Sequence, residues 1–202
     1  EAFPVIGLSK THSSNALVTD SAASGTAMAC GVKTMNGVIG ISMRNEYKSS
    51  ILELSKEKAY KTGLIATSSI VHATPASFYA NVVSRKKYED IAFQLSESVV
   101  DYFIAGGKKH FNRRSDRRNL LKEMTEWEFT NNLKSFDEST SNRIGYFTND
   151  DEPLPIREGR RPRLEAATIS MLKKIMRKYA TGTNCSVCST KSQYFIGCNG
   201  GS

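Results

Sequence analysis

The sequence predicts an α/β fold, a three-layer sandwich in which a mostly parallel sheet carries helices on both faces. Three observations predict it. Short β-branched or apolar runs alternate with longer segments of helical period along the chain, the pattern of strands joined by crossover helices. The 202 residues suit one domain, and an apolar fraction of 39 % is enough for a lean core. No stretch approaches the roughly 20 apolar residues of a membrane span.

The elements follow in order. Ala16-Leu17-Val18-Thr19 reads as a strand ending at Asp20. Residues 21–30 are small, Ala-rich and free of proline, with Gly31 as a C-terminal stop. Residues 50–59 place Ile51, Leu52, Leu54 and Ala59 as a helix does, and residues 63–67 read as a short buried strand. Pro75 sits where a helix begins, with Thr74 before it as cap. Residues 86–97 read as a helix, 99–105 as a strand closed by Gly106-Gly107, 119–129 as a helix and 144–148 as a strand. Residues 164–178 are the clearest helix, with Leu164, Met171, Leu172 and Ile175 on one face and Lys and Arg opposite and in the last turn. Residues 194–198 read as a closing strand. The polar stretches 130–162 and 181–191 read as loops, and neither marks a domain boundary, so residues 1–202 are expected to form one domain.

The net charge of +8 favours anionic partners in general. It is concentrated in three blocks: Lys108 to Arg118, Arg157 to Arg163, and Lys173 to Lys178. Such blocks are also ordinary solvated surface. Aromatic residues are not interleaved with them, as a single-strand nucleic-acid groove requires, and no nucleic-acid motif is present. Cys185 and Cys188 form one CxxC without a partner pair, so a disulfide, a partial metal site and free thiols all remain open. His12 and His110 read as structural.

The chemistry concentrates around Ser21. In Asp20-Ser21-Ala22-Ala23-Ser24-Gly25-Thr26-Ala27 a hydroxyl stands at a helix start, at the carboxyl edge of the expected sheet. Unpaired first-turn amides and the helix dipole favour an anion there. A serine so placed serves equally as an N-cap or as a nucleophile.

This string resembles the nucleophile signature of the alkaline phosphatases. A second stretch, Lys61 to Phe78 with His72-Ala73-Thr74-Pro75 inside it, resembles another block of that family, and Val83-Ser84-Arg85 follows at the matching distance. The resemblance runs from about residue 3 to residue 175. It implies phosphomonoester hydrolysis with Ser21 attacking phosphorus and passing through a phosphoserine. It implies that Arg85 clamps phosphate, which its planar fork suits, and that Asp20 helps orient Arg85. It also implies zinc and magnesium, with Thr74 a magnesium ligand, His72 near that metal and Ser21 activated at zinc.

The resemblance further implies an incomplete version of the fold. The family's Gly-Asp-Gly-Met-Gly type string and its C-terminal Asp and His zinc ligands have no counterpart here. Asn199 falls where the family places a metal-binding Glu. The expected substrates are phosphate monoesters, the expected assembly in the full-length family is a homodimer, and the expected location is periplasmic or secreted. A catalytically inactive remnant that binds phosphate or polyanions through its basic surface is the alternative. A basic nucleic-acid-binding domain is a third reading, resting on charge alone.

Overall fold

The computed structural model describes residues 7–177, 183–190 and 193–200, the last two segments by their backbone, with side chains there only at 195–197. Helix α1 spans Ser21–Cys30, and Gly31 closes it in the left-handed region at φ 70°. Helix α2, Ile51–Glu57, starts at a capping box: Ser50 Oγ accepts the Glu53 amide, and the Glu53 carboxylate accepts the Ser50 amide. Strand β1 is Lys61–Ser69. Short helix α3 is Ala73–Ala76, and α4 is Tyr88–Glu97, with Glu89 and Asp90 suited to its positive end. Strand β2 is Tyr102–Gly106. Helical turns α5, Lys109–Asn112, and α6, Leu120–Glu123, follow. Strand β3 is Glu128–Thr130, α7 is Leu133–Glu138, β4 is Ile144–Phe147 and α8 is Leu164–Met176. Strands β5, Thr183–Thr190, and β6, Gln193–Gly200, end the described chain.

The strand order is β3-β4-β2-β1-β6-β5. Strands β3, β4, β2 and β1 run parallel, while β6 is antiparallel to both β1 and β5. Alternate side chains of each strand enter different cores. Leu64, Ala66, Phe103, Ala105 and Phe195 join one cluster with residues of α1 to α6. Ile65, Tyr102, Ile104, Ile144 and Ile196 join a second cluster with α7 and α8. The sheet is therefore covered on both faces, as the alternation of elements predicts.

Several local expectations are corrected. Residues 16–19 form no strand, and Leu17 and Val18 are 92 % and 81 % exposed. A strand needs a neighbouring backbone, and among the described residues none pairs with this segment; Asn36 anchors it instead, donating from Nδ2 to the Val18 carbonyl. Thr74 is not a cap. Helix α3 begins at Ala73 with His72 in the capping place, and Pro75 lies inside its first turn, where a missing amide costs no helical bond. The 119–129 stretch divides into α6 and the start of β3. Both expected loops contain regular structure: α7 lies in the first and β5 in the second. Lys174, placed by sequence on the polar face of α8, is buried, its ammonium donating to the carbonyls of Asp137 and Ser139.

The direction of β6 also moves position 199. Cys198 pairs with Lys61, so Asn199 lies beside the start of β1. Thr74 follows the opposite end of that strand, so position 199 does not join it in a common site.

Candidate functional site

Asp20 organises the start of α1. Its Oδ1 accepts the Ala23 amide at 2.9 Å, and its Oδ2 accepts the Gly37 amide at 3.0 Å. Its own amide donates to Asn36 Oδ1 at 3.0 Å. Asp20 is thus the N-cap, and Ser21 is the first helical residue. Asp20 therefore supplies the cap, and the Ser21 hydroxyl is not used for capping.

Arg85 reaches that hydroxyl from a distant part of the chain. Its Nη1 donates to Ser21 Oγ at 2.6 Å and lies 3.3 Å from Asp20 Oδ2. Two loops carry it there. Ile39 and Val82 exchange backbone hydrogen bonds at 2.9 and 3.0 Å, and the Arg85 amide donates to the Gly37 carbonyl at 2.7 Å. The same Gly37 that caps Asp20 therefore fixes the backbone of Arg85. Among the described residues, Arg85 Nε and Nη2 form no hydrogen bond, which leaves one edge of the guanidinium fork open to a bidentate anion.

Thr74 and His72 come to the same region through α3. Gly25 permits it: a Cβ there would lie 2.7 Å from Ser77 Oγ and 3.3 Å from Thr74 Cα. A side chain at position 25 would have to displace the Ser77 hydroxyl and would crowd the α3 backbone at Thr74. His72 is half-buried, and burial holds its pKa below the ordinary 6.5; the Glu152 charge opposes that shift and the Arg85 charge reinforces it. Among the described residues, no three His, Cys, Asp or Glu side chains gather as a metal site. The described donor set therefore does not make a complete zinc or magnesium site.

Two participants carry no obvious sequence signal. Asn36 ties the segment before Ser21 to the turn that caps Asp20; the Asn36-Gly37 pair marks a turn but not this role. Glu152, in a polar loop, accepts the Ser69 amide at the end of β1 at 2.9 Å. His12 and His110 lie outside the site, His12 bonding to the neighbouring Ser13 carbonyl and His110 packing on the Tyr88 ring. Cys30 is a free thiol that burial and the nearby Glu53 push up to about 11. The side chains of Cys185, Cys188 and Cys198 lie outside the described residues.

The basic block of residues 108–118 is largely neutralised in place. Lys109 pairs with Asp151, Arg113 with Asp150, Arg114 with Asp116, and Arg118 with Glu123.

The structure thus sets a hydroxyl in the first turn of a helix against an arginine fork, in an α/β fold with a mostly parallel sheet. The alkaline phosphatase family model matches residues 1–177. The chain belongs to the alkaline phosphatase family. It is 36 % identical over 179 residues to the repressible alkaline phosphatase of Saccharomyces cerevisiae, covering 75 % of this chain and 32 % of that protein. It is 34 % identical over 168 residues to alkaline phosphatase 4 of Bacillus subtilis, covering 78 % of this chain and 36 % of that one. The solved alkaline phosphatase from the Antarctic bacterium TAB5 superposes with a TM-score of 0.79 at 36 % identity, over 85 % of this chain and 52 % of that one. A variant of that enzyme was solved with Mg bound in its M3 site. The chain spans about a third of the length of these curated relatives.

Proposed function

We propose that this chain carries the phosphate-binding and nucleophile portion of a phosphomonoester hydrolase. The observation that carries the reading is the Ser21 hydroxyl held 2.6 Å from Arg85 Nη1 at the start of α1. Ser21 Oγ forms a bond to phosphorus as the ester oxygen departs, and the serine proton ends on the departing alcohol. Water then cleaves the phosphoserine, releasing phosphate and restoring the hydroxyl. Arg85 binds the non-bridging oxygens through its open edge, and first-turn amides of α1 add donors. Asp20 orients Arg85 by its ion pair, while its bonds to Ala23 and Gly37 fix the helix start.

A divalent metal would supply Lewis-acid activation of the hydroxyl and of water. Thr74 and His72 are the residues we assign toward magnesium, and Ser21 toward zinc. The described residues do not complete either site, so no step above is routed through a metal.

The alternative reading is a remnant that binds phosphate or polyanions through its basic surface without turning phosphate esters over. The two readings share Arg85 and differ in turnover. Hydrolysis of an aryl phosphate by the chain, with and without added zinc and magnesium, separates them. Zinc-dependent turnover lost in Ser21→Ala supports the hydrolase. Phosphate binding lost in Arg85→Ala with no turnover in any condition supports the remnant. Phosphate binding that survives Arg85→Ala overturns both.

A further inference from the structure

Glu152 stands at the rim of this site with a placement that the residues assigned above do not explain. Its Oε2 accepts the Ser69 amide at 2.9 Å. The Ser69 carbonyl in turn accepts the His72 amide at 3.1 Å, so the carboxylate is clamped to the turn that delivers His72 and Thr74. The clamp depends on two glycines at the end of β2. A Cβ on Gly106 would lie 2.4 Å from the Asp151 carbonyl oxygen and 2.7 Å from Pro153 Cδ. Gly107, at φ 98°, donates its amide to the carbonyls of Asn149 and Asp151 at 3.1 and 2.9 Å. The loop before Glu152 is thereby pressed onto the carboxyl ends of the strands.

The neighbouring acids of this loop are engaged by cations, Asp150 by Arg113 and Asp151 by Lys109. Among the described residues, Glu152 forms no ion pair, and its Oε1 forms no hydrogen bond. It is solvent-exposed. Both Glu152 and Arg85 act on the His72 imidazole, with opposite sign. One ring therefore lies in the field of the rim carboxylate and of the phosphate-binding cation.

We propose that Glu152 is a specificity-determining residue: a fixed negative charge at the rim that weakens binding of a dianionic phosphate at Ser21 and Arg85 more than binding of a monoanion. The proposal rests on the reading of Ser21 and Arg85 given above. Its physics is the product of charges: a dianion feels the carboxylate with twice the energy of a monoanion at the same distance. For a phosphatase such a charge favours departure of the dianionic product.

The test titrates the full chain at low ionic strength with inorganic phosphate above neutral pH and with dimethyl phosphate, a monoanion. Glu152→Gln keeps an acceptor for the Ser69 amide and removes the charge. It is expected to tighten phosphate about fourfold and dimethyl phosphate about twofold, with the gain fading at high salt. Glu57→Gln, at the far end of β1, removes an equal charge and is expected to change neither. Hydrogen exchange at the Ser69 amide is expected to stay slow in Glu152→Gln and to quicken in Glu152→Ala, which shows that the clamp and the charge are separable. No change in phosphate affinity in Glu152→Gln, an equal gain for both anions, or a matching gain in Glu57→Gln overturns the proposal. Arg85→Ala distinguishes the failures. If it loses phosphate while Glu152→Gln changes nothing, only the role of Glu152 falls; if it binds phosphate unchanged, the site reading falls and takes this inference with it.

Discussion

The two ends of strand β1 both gather carboxylates and cations, and they use them differently. At its start, Asp101 accepts from Lys56 Nζ at 2.8 Å, Lys61 Nζ at 3.0 Å, the Thr62 amide at 2.9 Å and Thr62 Oγ1 at 3.2 Å. The Asp101 side chain is only 7 % exposed. Every lone pair it could offer is directed at the protein, so nothing remains for a ligand. Beyond the other end of β1, Asp20 and Arg85 are 27 % and 24 % exposed, and Arg85 keeps part of its fork free. The first cluster ties two strands and a helix together; the second leaves valence open at the carboxyl ends of the strands. The Asp101 carboxylate is saturated and buried, whereas the Asp20–Arg85 pair is only partly satisfied and more open, as the proposed phosphate-binding role requires.

This contrast can be broken by substitution. The largest effect is expected from Asp101→Ala, which leaves two ammonium groups and a buried amide without their acceptor. It should destabilise the chain by about 3 kcal/mol, read as a fall in the denaturation midpoint, while phosphate binding in the molecules that remain folded stays unchanged. Loss of phosphate binding in the folded fraction would show that the two ends are not independent.

Arg85→Ala should do the reverse. Loss of charge-assisted bonds to phosphate should weaken binding by about 2 kcal/mol, roughly thirtyfold, with little change in thermal stability. A large drop in melting temperature would mean that Arg85 is a structural member like Asp101. Asp20→Ala should fall between, costing about 1 kcal/mol of stability through the lost cap. It should also weaken phosphate binding, because Arg85 loses its anchor. The conservative Asp20→Asn should restore much of the stability but less of the binding.

The smallest effect is a pH dependence. Burial holds the pKa of both His72 and His110 below 6.5. The unfolded chain therefore takes up protons that the folded chain resists, so stability is full above pH 6.5 and declines as the pH falls below it. The acidic groups with resolved downward shifts, Glu89, Asp116, Glu123 and Asp151, start from 4.5 or 3.8, so the window just below neutrality belongs to the histidines. Melting temperatures measured from above neutrality down to about pH 5 should show the decline, and His110→Gln should make it shallower. An unchanged slope would place the burden on His72 alone.

Some of this was readable locally. The small residues of α1, the Gly31 stop, the apolar face of α8 and the buried runs of β1 and β2 all follow from side-chain size and spacing, which act within a few residues. The string around Ser21 and the stretch carrying His72, Thr74 and Arg85 were likewise recognisable by type and order. Other features were not. Residues 16–19 have strand composition but no strand partner among the described residues, and β propensity is expressed only against a neighbour. The polar 183–190 segment is a strand because β6 is there to pair with it. Lys174 is buried because the α7 end supplies carbonyls to its ammonium.

The sequence by itself determined the family and the residue types that meet at the site. A hydroxyl, a carboxylate and an arginine of given spacing are chemical facts before any folding occurs. Only the tertiary structure decided that Asp20 rather than Ser21 caps α1, and that Arg85, 64 residues away along the chain, closes on the freed hydroxyl. It also decided that Glu152 stands at the rim, 83 residues from the Ser69 amide that holds it. These are long-range hydrogen bonds, and their partners are chosen by which loops the sheet brings side by side, which no local pattern encodes.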